Sequence, residues 1–153
     1  MVIMRFSNIY EMILDLPIVE TAIHYRDACN HIRGLVTQIH LHVLKLILIG
    51  QETPHSEHWR DEITGWLKQS TNISVKNKIK IDYFEILYVE LLEDNEKRIK
   101  ALVESIEKKY SKFKIKQVPA DVLMQRLKEI MKDFSKMLED DNFDNLEEYL
   151  KGL

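Results

Sequence analysis

From Ile18 to Ile49 apolar residues recur in alternating steps of three and four: Ile18, Ala22, Tyr25, Cys29, Ile32, Val36, Ile39, Val43 and Leu46. That period lays them along one face of an α-helix, so the stretch predicts a long central helix ending at Gly50. After Thr37 the apolar positions spread around the circumference, with Leu41, Leu44 and Leu48 off the stripe. The C-terminal half of this helix is therefore expected to be surrounded, by other helices or by a partner chain. Gly34 sits inside the run and weakens it by about 1 kcal/mol relative to alanine, which makes it a place for a kink or a close helix approach.

The same reading extends to both sides. Ser7 can cap a short helix over 7–16, with Ile9, Met12, Ile13 and Leu16 on one face and Pro17 closing it. Thr53 followed by Pro54 reads as a cap and first helical residue. The helix that follows should run to about Gln69, bury Trp59, Ile63, Trp66 and Leu67, and stop at Ser70-Thr71-Asn72. Residues 78–92 are rich in strand-preferring types, yet no glycine or proline punctuates Val75 to Val118. Helix is favoured there and strand stays open.

Asp94-Asn95 can cap a helix with Ile99, Leu102, Val103, Ile106 and Tyr110 inward, and the alternating Lys112 to Lys116 reads as strand or loop. Pro119 opens a further helix that places Val122, Leu123, Leu127, Ile130, Met131, Phe134 and Leu138 in the core. After Glu139-Asp140-Asp141, Asp144 can cap a last short helix carrying Leu146, Tyr149 and Leu150.

The expected fold is thus all-α, an antiparallel helical bundle around a long central helix. The lesser alternative is α+β with short strands near 78–91 and 112–118. With 153 residues, four glycines and three prolines, the chain is the size of one domain and lacks the turn punctuation of a sandwich or barrel; 1–153 reads as a single helical domain. The lone Cys29 excludes an intrachain disulfide and suits a reducing compartment. The N-terminus has no secretory pattern, and the strongest apolar run, Leu41 to Ile49, is interrupted by Lys45 and shorter than a membrane span needs. A cytoplasmic protein is expected. Charge is uneven: residues 1–75 carry net −2, residues 76–118 +3 and residues 119–153 −4.

Three groups of residues could carry chemistry. All six histidines lie between positions 24 and 58. At helical spacing His24, His31 and His42 share one side of the central helix with Glu20 and Asp27. His55 and His58, with Asp61 and Glu62, could face them from the next helix. A metal site built from His24, Asp27, His31, His55 and His58 follows as one reading. Yet no two histidines stand at i, i+4, and His24 and His31 are about 10 Å apart along the axis. Boundary histidines in helical salt bridges are the plainer reading, and His40, on the apolar stripe, reads as a core histidine.

The second group is Arg26-Asp27-Ala28-Cys29-Asn30-His31. It resembles the R-polar-x-x-x-H motif of the HEPN superfamily of helical-bundle ribonucleases. The resemblance implies that Arg26 stabilises phosphate charge and His31 acts as acid or base, both lining a dimer cleft. It departs from that family in sitting on the second helix rather than near the start of a late one. The third group is the basic strip Lys108, Lys109, Lys112, Lys114 and Lys116, interleaved with Tyr110 and Phe113 and free of acids. Such a strip can bind single-stranded nucleic acid, although a solvated, lysine-guarded face is the commoner meaning.

Residues 36–80 also resemble the helical family called domain of unknown function twenty-nine. His42-Val43-Leu44-Lys45 is similar to its H-L-L-K signature, Trp59-Arg60-Asp61-Glu62-Ile63 to its tryptophan-led helix, and Asn72-Ile73-Ser74-Val75 to its N-P-S-L turn. The resemblance implies an all-helical fold and brings no activity with it; His42 and Lys45 would then be packing and capping residues as readily as site residues. No Gly-rich phosphate loop, nucleophile elbow, paired-cysteine site or H-E-x-x-H occurs. The leading reading is a non-catalytic helical module that acts by protein association, as a homodimer through the second and third helices and without a cofactor. The alternatives are a HEPN-like ribonuclease using Arg26 and His31, and a His/carboxylate metal-binding bundle.

Overall fold

A computed structural model describes residues 19–51, 53–79 and 96–153. The expected helix over 7–16, the helix-or-strand question over 80–92 and the Asp94-Asn95 cap lie outside the described residues. Five α-helices account for the regular structure described: α1 Val19–Ile49, α2 Ser56–Lys76, α3 Glu96–Lys109, α4 Ala120–Glu139 and α5 Leu146–Lys151. No strand occurs among the described residues, and the fold is an all-α bundle. The central helix is α1. It packs most extensively on α2, while α3 packs on α4 and on α1, and α2 also meets α4 and α5.

The apolar stripe explains that centrality. Cys29, Ile32, Val36, Ile39, Val43 and Leu46 are all buried, and so are the off-stripe Leu44 and Leu48. In the C-terminal half of α1 burial is nearly all-round, and the chain's own helices supply the cover: Trp59, Ile63 and Leu67 from α2 and Ile99 and Ile106 from α3, in one core with Leu127, Ile130 and Phe134 of α4. The surrounding expected of this half is thus achieved within one chain, without a partner. By length and composition His24–Ile49 is long and apolar enough to cross a membrane, but 72% of that window is buried inside the fold. The apolar stretch is therefore longer than the Leu41 to Ile49 run suggests. Gly34 is exposed, α1 runs through it, and nothing lies within 4 Å of where its Cβ would be. No helix among the described residues approaches closely there.

The connection from α1 to α2 is built from small polar side chains. Gly50 ends α1 with φ +101°, a conformation that costs a glycine little. Its carbonyl accepts the Ser56 hydroxyl at 3.0 Å, and the Thr53 and Ser56 hydroxyls are 2.7 Å apart. Thr53 therefore organises the turn rather than capping the helix, which begins at Ser56 after His55. Gln51 ties this corner to two other elements: its amide donates to the Leu150 carbonyl at 2.8 Å and accepts from Arg60 at 2.7 Å.

Several expected boundaries move. α2 continues through Ser70-Thr71-Asn72 to Lys76, because the Ser70 and Thr71 hydroxyls donate to the carbonyls of Trp66 and Leu67 one turn back instead of competing with the helix. Asn72 to Val75, likened above to a turn, is accordingly helical. The stop comes at Lys78, φ 55°, where Ile79 N–H reaches the Ser74 carbonyl and Lys78 N–H the Val75 carbonyl. This is a Schellman closure without glycine. Asp141, φ 47°, closes α4 in the same way, through Asn142 to Met137 and Asp141 to Leu138. Lys112 to Val118 forms no strand: its one backbone tie to another element among the described residues is Lys116 N–H on the Leu48 carbonyl at 2.9 Å. On α4 the expected core face is buried except Val122, which is 49% exposed. Asn145, not Asp144, precedes α5, and it makes no side-chain cap bond.

Candidate functional site: the polar seam between α1 and α2

Within the α1–α2 interface a line of polar and aromatic side chains interrupts the aliphatic core. His42 and Lys45 stand three residues apart on α1, one turn up the same face. His58, Trp59, Glu62 and Trp66 take the facing side of α2 at helical spacing. The Glu62 carboxylate lies between two histidines, with Oε2 2.5 Å from His42 Nε2 and Oε1 2.9 Å from His58 Nε2. One contact crosses between helices and the other is an i, i+4 pair within α2. The edge of His42 meets Trp66 at 4.7 Å with the rings at 83°. Exposure grades along the line: the His42 side chain is 9% exposed, Glu62 32% and His58 70%.

These surroundings decide protonation. Burial lowers the pKa of His42 below its ordinary value, and the nearby Lys45 ammonium lowers it further; Glu62 opposes both. His42 is therefore neutral at physiological pH and donates its Nε2 proton to Glu62. Both Glu62 oxygens are then engaged, and the assembly works as a clasp between helices.

Lys45 is buried at 6% exposure. Its Nζ lies 5.5 Å from the ring centre of Trp59 and 5.6 Å from that of Tyr110. Two aromatic faces in place of water suit a desolvated ammonium, an attraction worth about 2 kcal/mol. His55 stacks on Trp59 at 5.8 Å, and Phe113 comes within 6.2 Å of His55. Tyr110 and Phe113, both half-buried, thus belong to the cover of the seam.

The residues nominated from sequence fall elsewhere or separate. His24, Arg26, Asp27 and His31 are exposed on the N-terminal half of α1, where His31 Nε2 stands 3.4 Å from the Gln69 amide. His55 turns to Trp59 and His58 to Glu62, and no group of three or more His, Cys, Asp or Glu among the described residues is placed to hold one metal ion. His40 is buried, and burial with the Arg98 charge brings its pKa down to about 4. Cys29 is buried beside Tyr25, and burial pushes its thiol up to about 12, which makes it inert as a nucleophile. Lys108, Lys109, Lys112, Lys114 and Lys116 are all exposed.

The seam's own members were only partly anticipated. His42 and Glu62 were each placed on facing sides of two neighbouring helices, but their pairing was not. His42 and Lys45 of α1 meet Trp59 and Glu62 of α2 here in one cluster. Neither the family models, nor the curated proteins, nor the solved structures include a match to this chain.

Proposed function

We propose that this chain is a non-catalytic helical module that acts by association, in the first place with itself. The observation that carries the reading is the closure of the seam. The acid and base groups that do converge, His42, Glu62 and His58, pair with one another, and the buried ammonium of Lys45 is covered by Trp59 and Tyr110. Groups arranged this way hold two helices in register and leave no open position for a reacting atom. Among the described residues the exposed groups include a lysine strip at 108–116 and an acidic end at 139–144.

Light scattering of the full chain over a wide dilution series tests this. The expected result is a mass that rises above the monomer with concentration. A monomer mass throughout overturns self-association. Cleavage of RNA by the wild type that is lost in His31→Ala would replace the reading with a catalytic one.

A further inference from the structure

The five lysines of residues 108–116 make no ion pair among the described residues; the pairs present there are His42 and His58 with Glu62, Lys100 with Glu96, and Lys151 with Glu147 and Glu148. All five are exposed, and the segment that bears them is held in place. Tyr110 N–H bonds to the Ile106 carbonyl, Phe113 N–H to that of Tyr110 and Lys116 N–H to that of Leu48. Tyr110 and Ile115 pack on the core, and the half-buried Phe113 lies against His55 and Tyr110. With these three turned inward, Lys112, Lys114 and Lys116 are presented together on an ordered backbone. Like charges held this close repel, which is tolerated where an anionic partner relieves it.

The same chain offers the complement. Residues 139–148 contain six carboxylates and no base, and Glu139, Asp140, Asp141 and Asp144 are exposed without an ion pair among the described residues. Beside them is an open hollow of about 320 Å³ lined by Asp133, Lys136, Met137, Asp140, Asn142, Asn145 and Tyr149. Its carboxylates and amide oxygens suit a lysine ammonium, which donates three hydrogen bonds and accepts none. Asp133 is fixed at its rim by the Tyr149 hydroxyl, which donates to Oδ2 at 2.6 Å.

We infer that the lysine strip at 108–116 docks on the acidic 139–148 end and its hollow in a second copy of this chain. The inference rests on the association reading above and names the surface through which it acts. A single-stranded nucleic acid fits the strip less well. The aromatics that would stack on bases are engaged with Trp59 and His55, the strip has no arginine, and the chain is acidic overall, at −3.

The test measures self-association of the full chain by light scattering for the wild type and two charge-reversed variants. One is Lys112→Glu with Lys114→Glu and Lys116→Glu; the other is Glu139→Lys with Asp140→Lys and Asp144→Lys. Each variant alone is expected to associate roughly a hundredfold more weakly, since like charges then face each other. An equimolar mixture of the two is expected to recover association, because the reversed strip fits the reversed end. Added salt should weaken the wild type. A lysine-to-glutamine triple, which removes charge without reversing it, should fall between, and far-UV circular dichroism checks that each variant is folded.

Association that neither variant changes overturns this surface while leaving the association reading in place. A wild type that is monomeric throughout overturns both. Folded variants that lose association but do not recover it on mixing also overturn the pairing. Salt-sensitive binding of single-stranded RNA by a monomer, lost in the lysine variant, assigns the strip to nucleic acid instead.

Discussion

In the N-terminal half of α1, His24, Arg26, Asp27 and His31 are exposed. In its C-terminal half His40, His42 and Lys45 are each buried. One helix, the same residue types, and opposite outcomes. The difference lies in what packs alongside. The N-terminal half buries a single stripe, through Ala28, Cys29 and Ile32, so its polar side can remain in water. Around the C-terminal half, where α2 and α3 pack on α1, burial is nearly all-round, and any polar residue there must find a partner inside the protein. Lys45 finds two aromatic faces and His42 a carboxylate. A polar residue on a helix thus acquires its role from the number of neighbours around that turn and only secondarily from its own chemistry.

The comparison is broken most forcefully by removing the packing that enforces it. Leu44 is fully buried in the C-terminal half, and Leu44→Ala should cost about 2–5 kcal/mol, the transfer loss plus the cavity left behind. Asn30→Ala, an exposed site in the N-terminal half, should stay within about 0.5 kcal/mol of wild type. Urea titration followed by circular dichroism reads both. Similar losses at the two sites would mean that the halves are equally enclosed.

A smaller effect separates buried from exposed histidines. His40 titrates near 4 in the fold because burial penalises its charged form, against about 6.5 in an unfolded chain. Below that value the unfolded state binds the proton more readily than the native state. Stability contributed by the neutral ring is therefore full above pH 6.5 and lost as pH falls toward 4. Between pH 8 and pH 5 the loss from His40 is about 2 kcal/mol, and the lowered pKa of His42 adds in the same sense. His40→Gln should flatten the pH dependence by that amount. An unchanged slope would show that His40 is not the group whose charging destabilises the fold.

The period of the stripe made α1 readable in advance, and with it the all-helical class and most of the buried positions from Cys29 to Phe134. Helix ends were less readable. Lys78 and Asp141 close α2 and α4 in the left-handed region, where glycine is the residue a reader looks for, so nothing at those positions announces a stop. The seam was harder still. Periodicity places His42 on one face of α1 and Glu62 on one face of α2, but which turn meets which depends on the length and bend of the connection. That corner is set by Gly50, Thr53 and Ser56 acting together, a tertiary arrangement with no repeat to betray it. The histidines were consequently grouped by nearness in sequence, whereas the fold groups His42 with His58 and leaves His24 and His31 outside.

The smallest expected effect sharpens the comparison at its exposed end. His31 is in water with only a 3.4 Å approach to the Gln69 amide, and a surface contact of that kind contributes little. His31→Ala should therefore change stability by no more than about 0.5 kcal/mol, with the oligomeric mass unchanged. Glu62→Ala at the seam strips His42 of its acceptor and leaves a buried N–H unpaired, which costs about 1–3 kcal/mol. The two substitutions, read in the same urea titration, set a polar group that the fold uses against one that it does not. If His31→Ala proves as costly as Glu62→Ala, the N-terminal half of α1 is enclosed in the working protein, and the surface around Arg26 and His31 becomes the place to look for what encloses it.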